Sequence, residues 1–134
     1  MPDAQPILGE IADLYAHADV GDGMLQAAAA QLRRLAGSPP AAEKRLTVPV
    51  HEHLAAALKA ASRGPLAGIA KAFAAIEPSC RWRQNPNYTV ATLGERFMDN
   101  YGYVELVGGD RRWASDSIAV GFLLLGPGVE YPAH

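Results

Sequence analysis

Residues 118–134, with the sequence IAVGFLLLGPGVEYPAH, decide the fold class of this chain. The apolar run over residues 118–125 predicts a buried β-strand, because strands buried on both faces read as continuous apolar stretches. Gly126-Pro127-Gly128 predicts a turn that ends the strand, since glycine and proline favour turn geometry. After this turn the sequence presents Tyr131 and His134, two side chains that can take part in chemistry.

The composition bounds the class of protein. The chain has 134 residues, of which 49% are hydrophobic and 19% charged, with a formal net charge of −2. This is the size and composition of one ordinary domain, or of a small helical domain with part of another. The Lys and Arg residues are scattered, which argues against a nucleic-acid partner, because such partners need a clustered basic surface.

The sequence contains no evident targeting or membrane segment. Its first residues lack the basic and apolar regions of a signal peptide, and no stretch approaches the roughly 20 apolar residues of a membrane span. We therefore expect a cytoplasmic protein with no membrane partner. Cys80 is the only cysteine, so neither an intrachain disulfide nor a cysteine-based zinc cluster is expected.

The first part of the chain has the pattern of a helical region. Apolar residues recur at helical spacing in four stretches, at about residues 7–15, 24–35, 51–62 and 66–76. The predicted inward-facing positions include Met24 in the second stretch and Leu66 in the fourth. Pro78 ends the last helix. We expect residues 1–78 to form an N-terminal α-helical region.

The composition changes after Pro78 and favours strands. Residues 93–98 predict a short helix or a turn, and residues 101–107 predict a strand. A turn follows, and Arg112-Trp113-Ala114 predicts the start of a returning strand. Helices followed by an antiparallel sheet are typical of an α+β fold rather than a βαβ fold. So few strands cannot close a barrel, so we expect an incomplete sheet over residues 79–134.

Two segments of this second part carry a family resemblance. Residues 100–108, NYGYVELVG, and residues 126–134, GPGVEYPAH, resemble the cupin-type dimethylsulfoniopropionate lyases. Trp82 and the pair Tyr88-Thr89 add to the resemblance, which extends from Trp82 to the last residue. It implies an N-terminal helical region followed by the first strands of a cupin barrel, also called a double-stranded β-helix or jelly roll.

The resemblance also implies a function. Such enzymes bind a divalent metal ion (Zn, Fe, Mn or similar) and cleave dimethylsulfoniopropionate, a small zwitterionic acid, to dimethyl sulfide and acrylate by β-elimination. Tyr131 matches a tyrosine of the substrate pocket, and His134 matches the first histidine of the metal motif, which begins Gly-x5-His. The following histidine and glutamate would come next, so we expect metal binding and turnover of a longer protein, with this chain truncated where the ligands begin.

The proposed chemistry needs both kinds of residue. Removing a proton beside a carboxylate creates negative charge, which a metal ion stabilises as a Lewis acid. A tyrosine can accept the proton when a nearby cation lowers the pKa of its phenol from near 10. Tyr131 and His134 are three residues apart and do not share a face on a regular strand. Pro132 prevents regular pairing there, so their meeting in one pocket is a hypothesis.

Other residues that attract attention have simpler interpretations. His51-Glu52-His53 lies in a helical pattern, where positions two apart point in different directions, so shared metal binding is not expected. The remaining candidates are expected to serve structure: Trp82 and Trp113 as packing anchors, Tyr101 and Tyr103 in a core or interface, Glu130 in a solvated turn, and Cys80 as a structural thiol.

Two alternative functions stay open at this point. A cupin metalloenzyme could act on another small acid as an isomerase or dioxygenase, because a fold does not dictate a function. A non-catalytic cupin-type sensor or interaction module is the other alternative. An unfinished sheet would expose an apolar face and an open edge, which favours a homodimer.

Overall fold

The computed structural model describes residues 5–18, 21 and 23–132, with helices first and strands last. The helices are α1 (Gln5–Ala18), α2 (Met24–Ala36), α3 (Leu54–Ala61), α4 (Ala67–Ile76), α5 (Val90–Leu93) and α6 (Glu95–Asp99). Short 3-10 helices cover Pro49–His53 and Glu77–Ser79. The strands β1 (Tyr101–Val107) and β2 (Val120–Leu125) form an antiparallel sheet. The predicted α+β class is confirmed.

The helical layer forms by burial of the predicted apolar stripes. Ile7, Leu8 and Leu32 are fully buried where α1 packs against α2. Three positions of the predicted apolar stripes are wrong: Met24 is 70% exposed, Leu66 is 45% exposed and Leu14 is 39% exposed. Each lies near a helix end, where fewer neighbouring turns cover a side chain: Met24 is the first residue of α2, Leu66 directly precedes α4, and Leu14 lies near the end of α1. No helix in the described ranges is long and apolar enough to cross a membrane.

The predicted helix over residues 51–62 begins differently in the structure. A 3-10 turn covers Pro49–His53, and the α-helix starts only at Leu54. Pro49 stands in the first turn, where its missing N–H costs nothing, and the His51 N–H donates to the Val48 carbonyl at 2.9 Å. Val50 is fully buried and anchors this turn to the core.

The two strands are those expected from the apolar pattern, with β2 beginning at Val120 rather than Ile118. The register pairs Tyr103 with Leu123 and Glu105 with Gly121, and it shifts between Glu105 and Val107 as in a β-bulge. Successive side chains of a strand point to opposite faces, so this register assigns each residue of the sheet to one of two faces. One face joins the core; the other carries the candidate site.

The sheet continues past β1 through short backbone pairings. Arg83 and Tyr103 exchange two backbone hydrogen bonds, with N–O distances of 2.8 and 2.9 Å. The Trp82 N–H donates to the Leu46 carbonyl at 2.8 Å, which adds the segment around Leu46 to the same edge. The helical region and the strands are therefore joined by backbone bonds as well as by side-chain packing.

The predicted strand at Arg112-Trp113-Ala114 is wrong. Trp113 forms only an isolated bridge to Val107, and that bridge is parallel. The indole of Trp113, 2% exposed, is buried and donates its ring N–H to the Ser38 carbonyl at 3.0 Å. With its ring bonded to Ser38, just after α2, this segment does not form the antiparallel strand that was predicted. The prediction that Trp113 is a packing anchor is confirmed.

One hydrophobic core joins both parts of the chain. Buried residues of α1, α2 and α4 form a single cluster with residues of β1 and β2. Phe73 of α4 stacks on Phe122 of β2 with 4.2 Å between ring centroids and 22° between planes. Trp82 is 1% exposed within the same cluster, so its predicted role as an anchor is also confirmed. The boundary between residues 1–78 and 79–134 stays a prediction.

A buried carboxylate ties the segment at Trp82 to the helical region. Oε2 of Glu77 accepts hydrogen bonds from the Trp82 indole N–H at 2.8 Å and from Nη1 of Arg45 at 2.7 Å. Nε2 of His51 lies 2.9 Å from the same oxygen. Cys80 lies beside this cluster, and burial raises the pKa of its thiol to about 11, which leaves it the inert structural thiol that was expected. Glu77 thus joins three separate stretches of sequence.

The pKa of Glu77 reports the net effect of this cluster. Burial by itself would raise the pKa, because it disfavours the charged carboxylate. The hydrogen bonds from Trp82, Arg45 and His51 outweigh burial, so the pKa of Glu77 lies below its ordinary value. A carboxyl with a lowered folded-state pKa stabilises the fold above the unfolded-state pKa, and this contribution is lost as pH falls through the folded-state pKa.

We therefore expect Glu77→Gln to lower the free energy of unfolding by about 2 kcal/mol at pH 7, because charged hydrogen bonds are lost from a buried site. The difference from the unsubstituted chain should shrink as pH falls below the ordinary glutamate pKa, where Glu77 itself becomes protonated. Urea denaturation at several pH values measures both effects. Glu52→Gln, at a side chain that is 74% exposed, is the matched control. A pH-independent difference would contradict the assignment.

Candidate functional site

The candidate site lies on the sheet face that points away from the helical layer. Val104 pairs with Phe122, and Phe122 stacks on α4, so this register position faces the helices. Alternation then places Tyr101, Tyr103 and Glu105 of β1 on the opposite face. The backbone thereby brings two phenols and a carboxylate together in one row.

Tyr131 joins this row through a cluster of aromatic rings. Its ring centroid lies 5.7 Å from Tyr101, 6.1 Å from Phe97 and 6.4 Å from Tyr88. Tyr101 and Phe97 are stacked at 4.9 Å with 18° between planes. Contacts at these distances are favourable for aromatic pairs and limit where Tyr131 can lie. The structure therefore brings the predicted site tyrosine back against β1.

These rings border an open cavity of about 350 Å³. Its polar lining consists of three phenols, one amide and one carboxylate, contributed by Tyr101, Tyr103, Tyr131, Asn85 and Glu105. This volume lies near the lower end of the usual range for ligand pockets, and it is large enough for a small organic acid. Tyr101 and Tyr103 were expected in a core or interface. Tyr101 is indeed only 1% exposed, but both residues also line the cavity.

Burial and hydrogen bonds set the protonation of two phenols in this cluster. Burial raises the pKa of Tyr101, although its hydroxyl accepts the Asn85 backbone N–H at 3.1 Å. The hydrogen bond with Tyr131, at 3.4 Å between hydroxyl oxygens, is the main cause of a raised pKa at Tyr88, and desolvation adds to it. Both phenols are therefore neutral near pH 7 and can donate hydrogen bonds, but they are poor bases.

Glu105 is held by a neighbouring arginine. Nε of Arg111 donates to Oε1 of Glu105 at 2.8 Å, and Nη1 of Arg111 lies 3.0 Å from a carboxylate oxygen of Asp110. The arginine side chain is 23% exposed and that of Glu105 27% exposed. This pairing leaves the floor of the cavity without an isolated negative charge.

The described residues do not by themselves make a metal site. Within residues 5–18, 21 and 23–132, no three His, Cys, Asp or Glu side chains lie close enough together to hold an ion. His51 contacts Glu77, and Nε2 of His53 lies 4.0 Å from a carboxylate oxygen of Glu52. His134, the predicted metal ligand, lies outside the described residues. Glu130 is exposed in the loop, as its predicted role in a solvated turn requires.

Sequence reasoning did not identify every residue of the aromatic cluster. Phe97 and Asn85 were not singled out, and Tyr88 was noted only for its family resemblance. The local signal for Tyr88 is the next residue, because Thr89 caps α5 by accepting the Thr92 N–H at 3.2 Å. The capped helix start fixes the direction of the chain at Tyr88. The Tyr88 hydroxyl oxygen then lies 3.4 Å from the Tyr131 hydroxyl oxygen.

The comparisons with known proteins agree with the resemblance noted in the sequence. The family model for dimethylsulfoniopropionate lyase matches residues 24–134, which is most of the chain. The chain belongs to the dimethylsulfoniopropionate lyase family. Within this family, it is 28% identical over 86 residues to the Cereibacter sphaeroides protein named as the dimethylsulfoniopropionate lyase DddL. That match covers 64% of this chain and 35% of the relative.

A solved structure shows the same fold. The present chain matches a chain from the crystal structures of the DMSP lyases RdDddP and RnDddQII, with a TM-score of 0.56 and 23% sequence identity. The match covers 94% of this chain and 60% of the solved one. The chain thus spans about a third of the length of the curated relative and 60% of the length of the solved structure.

The cavity floor requires glycine at position 121. A Cβ atom there would lie 2.1 Å from the Val104 carbonyl oxygen and 2.9 Å from Cα of Glu105. We expect Gly121→Ala to lower the free energy of unfolding by about 2 kcal/mol, because overpacking against backbone cannot be relieved by a side-chain rotation. Thermal or urea denaturation measures this effect.

The matched control is Gly9→Ala in the middle of α1, where no atom lies within 4 Å of the added methyl group. This substitution should raise stability by about 0.5–1 kcal/mol, since alanine favours a helix over glycine. Equal effects of the two substitutions would contradict the steric account of Gly121.

Proposed function

We propose that this chain is part of a dimethylsulfoniopropionate lyase, which cleaves its substrate to dimethyl sulfide and acrylate by β-elimination. The observation that carries the proposal is the family match over residues 24–134. The cavity lined by Tyr101, Tyr103 and Tyr131 supports it, because it offers phenolic hydrogen bonds to a small acid. The chain's partner is accordingly a small molecule.

We also propose that β1 and β2 are the first strands of a cupin barrel. The solved relative is longer than this chain, which leaves room for further strands in the complete fold. The face with Tyr103 and Leu123 would then be the inside of the barrel. Leu123 is 49% exposed in the described structure, as expected of a face that further strands would cover.

The reaction assigns different roles to the phenols. β-Elimination removes a proton from the carbon beside the carboxylate, forms the carbon–carbon double bond, and expels dimethyl sulfide with the electrons of the carbon–sulfur bond. Tyr88 and Tyr101, with raised pKa values, would donate hydrogen bonds rather than accept this proton. We assign acceptance of this proton to Tyr131 in its phenolate form, which the proton would convert to the neutral phenol. Tyr131 lines the cavity, and its phenolic oxygen lies 3.4 Å from that of Tyr88.

The cofactor we propose is a divalent metal ion such as Zn, Fe or Mn, with His134 as one ligand. The described residues supply no complete ligand set, so the other ligands would lie outside the described residues. When bound, such an ion would act as a Lewis acid that stabilises negative charge beside the substrate carboxylate. The cytoplasmic location and the homodimer stay predictions.

The activity test compares this chain with the full open reading frame that contains it. Each protein is loaded with Zn, Fe or Mn in turn, its metal content is measured by mass spectrometry, and dimethyl sulfide is measured by headspace gas chromatography. We expect the longer protein to bind metal and release dimethyl sulfide. A metal-loaded longer protein that releases none, or that converts another small acid instead, would contradict the proposed substrate.

The role of Tyr131 is tested in the same assay. Tyr131→Phe should lower the rate of dimethyl sulfide release by about 100-fold, because proton transfer by a positioned side chain typically contributes that much or more. Tyr15→Phe is the matched control, since Tyr15 lies on α1 outside the cavity lining. Equal rates for Tyr131→Phe and the unsubstituted enzyme would overturn the assignment of Tyr131.

A further inference from the structure

Loop 126–132, which carries Tyr131, follows the paired part of β2. β2 ends at Leu125, and the loop contains Pro127 and Pro132. Proline has no backbone N–H, so neither residue can donate a hydrogen bond to a neighbouring strand. Within the turn, the Val129 N–H donates to the Gly126 carbonyl at 3.3 Å. Contacts with the rest of the chain add to what holds this loop.

The short helix α6 and the residue after it supply such contacts at both ends of the turn. The Gly126 N–H donates to the Asn100 carbonyl at 2.8 Å, and Nη2 of Arg96 donates to the Gly128 carbonyl at 3.3 Å. The Asn100 side chain is itself fixed, since its Nδ2 donates to the Arg96 carbonyl at 2.8 Å. The loop is thus bonded to the Arg96 side chain and the Asn100 backbone, and the Asn100 side chain is bonded to the Arg96 backbone.

The closest approach is between Asn100 and Gly126. Gly126 is buried, and a Cβ atom at this position would lie 2.0 Å from Oδ1 of Asn100, 2.7 Å from its Cγ and 2.9 Å from its Cβ. The Asn100 Cβ atom is fixed by the backbone, and Cγ and Oδ1 can rotate away only by breaking the hydrogen bond from Nδ2 to the Arg96 carbonyl. The Asn100 side chain therefore packs directly on the Gly126 α-carbon, and this contact sets the point where the loop leaves β2.

A second residue of α6, Phe97, contacts the Tyr131 ring directly. Phe97 is 8% exposed, stacks on Tyr101 at 4.9 Å, and lies 6.1 Å from the Tyr131 ring. Residues 96, 97 and 100 thus contact the turn and the aromatic residue that follows it. These contacts all come from one short stretch of chain, residues 96–100.

We infer that Asn100 and Arg96 are positioning residues, which hold loop 126–132 so that the Tyr131 phenol enters the cavity. Neither residue belongs to the lining of the cavity. They act through the backbone of Gly126 and Gly128 rather than on the substrate. The catalytic importance of this positioning rests on the proposed function, but the positioning of Tyr131 is a property of the chain and can be measured without substrate.

The test disturbs the contact between Gly126 and Asn100 from each side. The chain is labelled with fluorotyrosine, and the fluorine resonance of Tyr131 is identified by its loss in Tyr131→Phe among the five tyrosines. Gly126→Ala should shift this resonance, because the added methyl group displaces the loop from Asn100. Asn100→Ala should shift the same resonance, because it removes the amide that packs on Gly126 and bonds to Arg96. The resonance of Tyr15, on α1, should not move.

In the active form of the protein, the same substitutions should change kcat more than KM. Gly126→Ala should lower kcat by about 10–100-fold, because a displacement of about 1 Å at a reacting group is sufficient for that loss. Asn100→Ala should lower kcat in the same direction. A role confined to general stability would lower the thermal midpoint without changing kcat or the Tyr131 resonance of the folded protein, and that outcome would overturn the inference.

Arg96 supplies a second test should Gly126→Ala fail to fold. Arg96→Ala should shift the Tyr131 resonance, whereas Arg96→Lys, which keeps a cationic donor, should shift it less. Unchanged resonances in the folded variants would overturn the inference. A shifted resonance in this chain, together with a metal-loaded longer protein that releases no dimethyl sulfide, would leave the inference standing and overturn the proposed function, so the two failures are distinguishable.

Discussion

Three hydrogen-bond contacts converge on one oxygen atom, Oε2 of Glu77, and the remainder of the structure depends on this cluster. The Trp82 indole, 2.8 Å away, is among them and is thereby fixed against the helical region. With Trp82 in place, Arg83 is held at the right position to pair with Tyr103 of β1. A buried carboxylate is unfavourable unless its charge is compensated, so the cluster specifies one arrangement of its three partners.

The segment that follows Trp82 positions β1, and β1 in turn positions β2. β1 pairs with the segment at Arg83 on one side and with β2 on the other. Because side chains alternate along β1, the same pairing that buries Val104 against the helices places Tyr103 and Glu105 in the cavity. Loop 126–132 follows β2, and hydrogen bonds with Arg96 of α6 and with Asn100 help to hold it. Packing on one face of the sheet therefore determines the chemistry on the other.

Local patterns in the sequence predicted most of the helices and strands, but not the contacts between residues far apart in the sequence. The strands at residues 101–107 and 118–125 followed from composition, and Tyr131 from the resemblance of its loop to a known family. The pairing of Tyr88 with Tyr131 could not be predicted, because no local pattern links residues so far apart. The Glu77 cluster is of the same kind, since Arg45 and Glu77 look like ordinary charged residues until the fold brings them together. The strand predicted at Trp113 is absent, because burial of the Trp113 ring in the core outweighs the local pattern of a turn followed by a strand.

The stacking of Phe73 on Phe122 has a consequence for how the protein is made. The helical layer leaves the ribosome first, and domains begin to fold as they emerge. Phe73 is only 3% exposed in the finished structure, yet its stacking partner, Phe122, is synthesised about 50 residues later. During synthesis the nascent helices must therefore present an uncovered apolar surface until β2 appears. This interval is when the nascent chain is most exposed to chaperones and to wrong association.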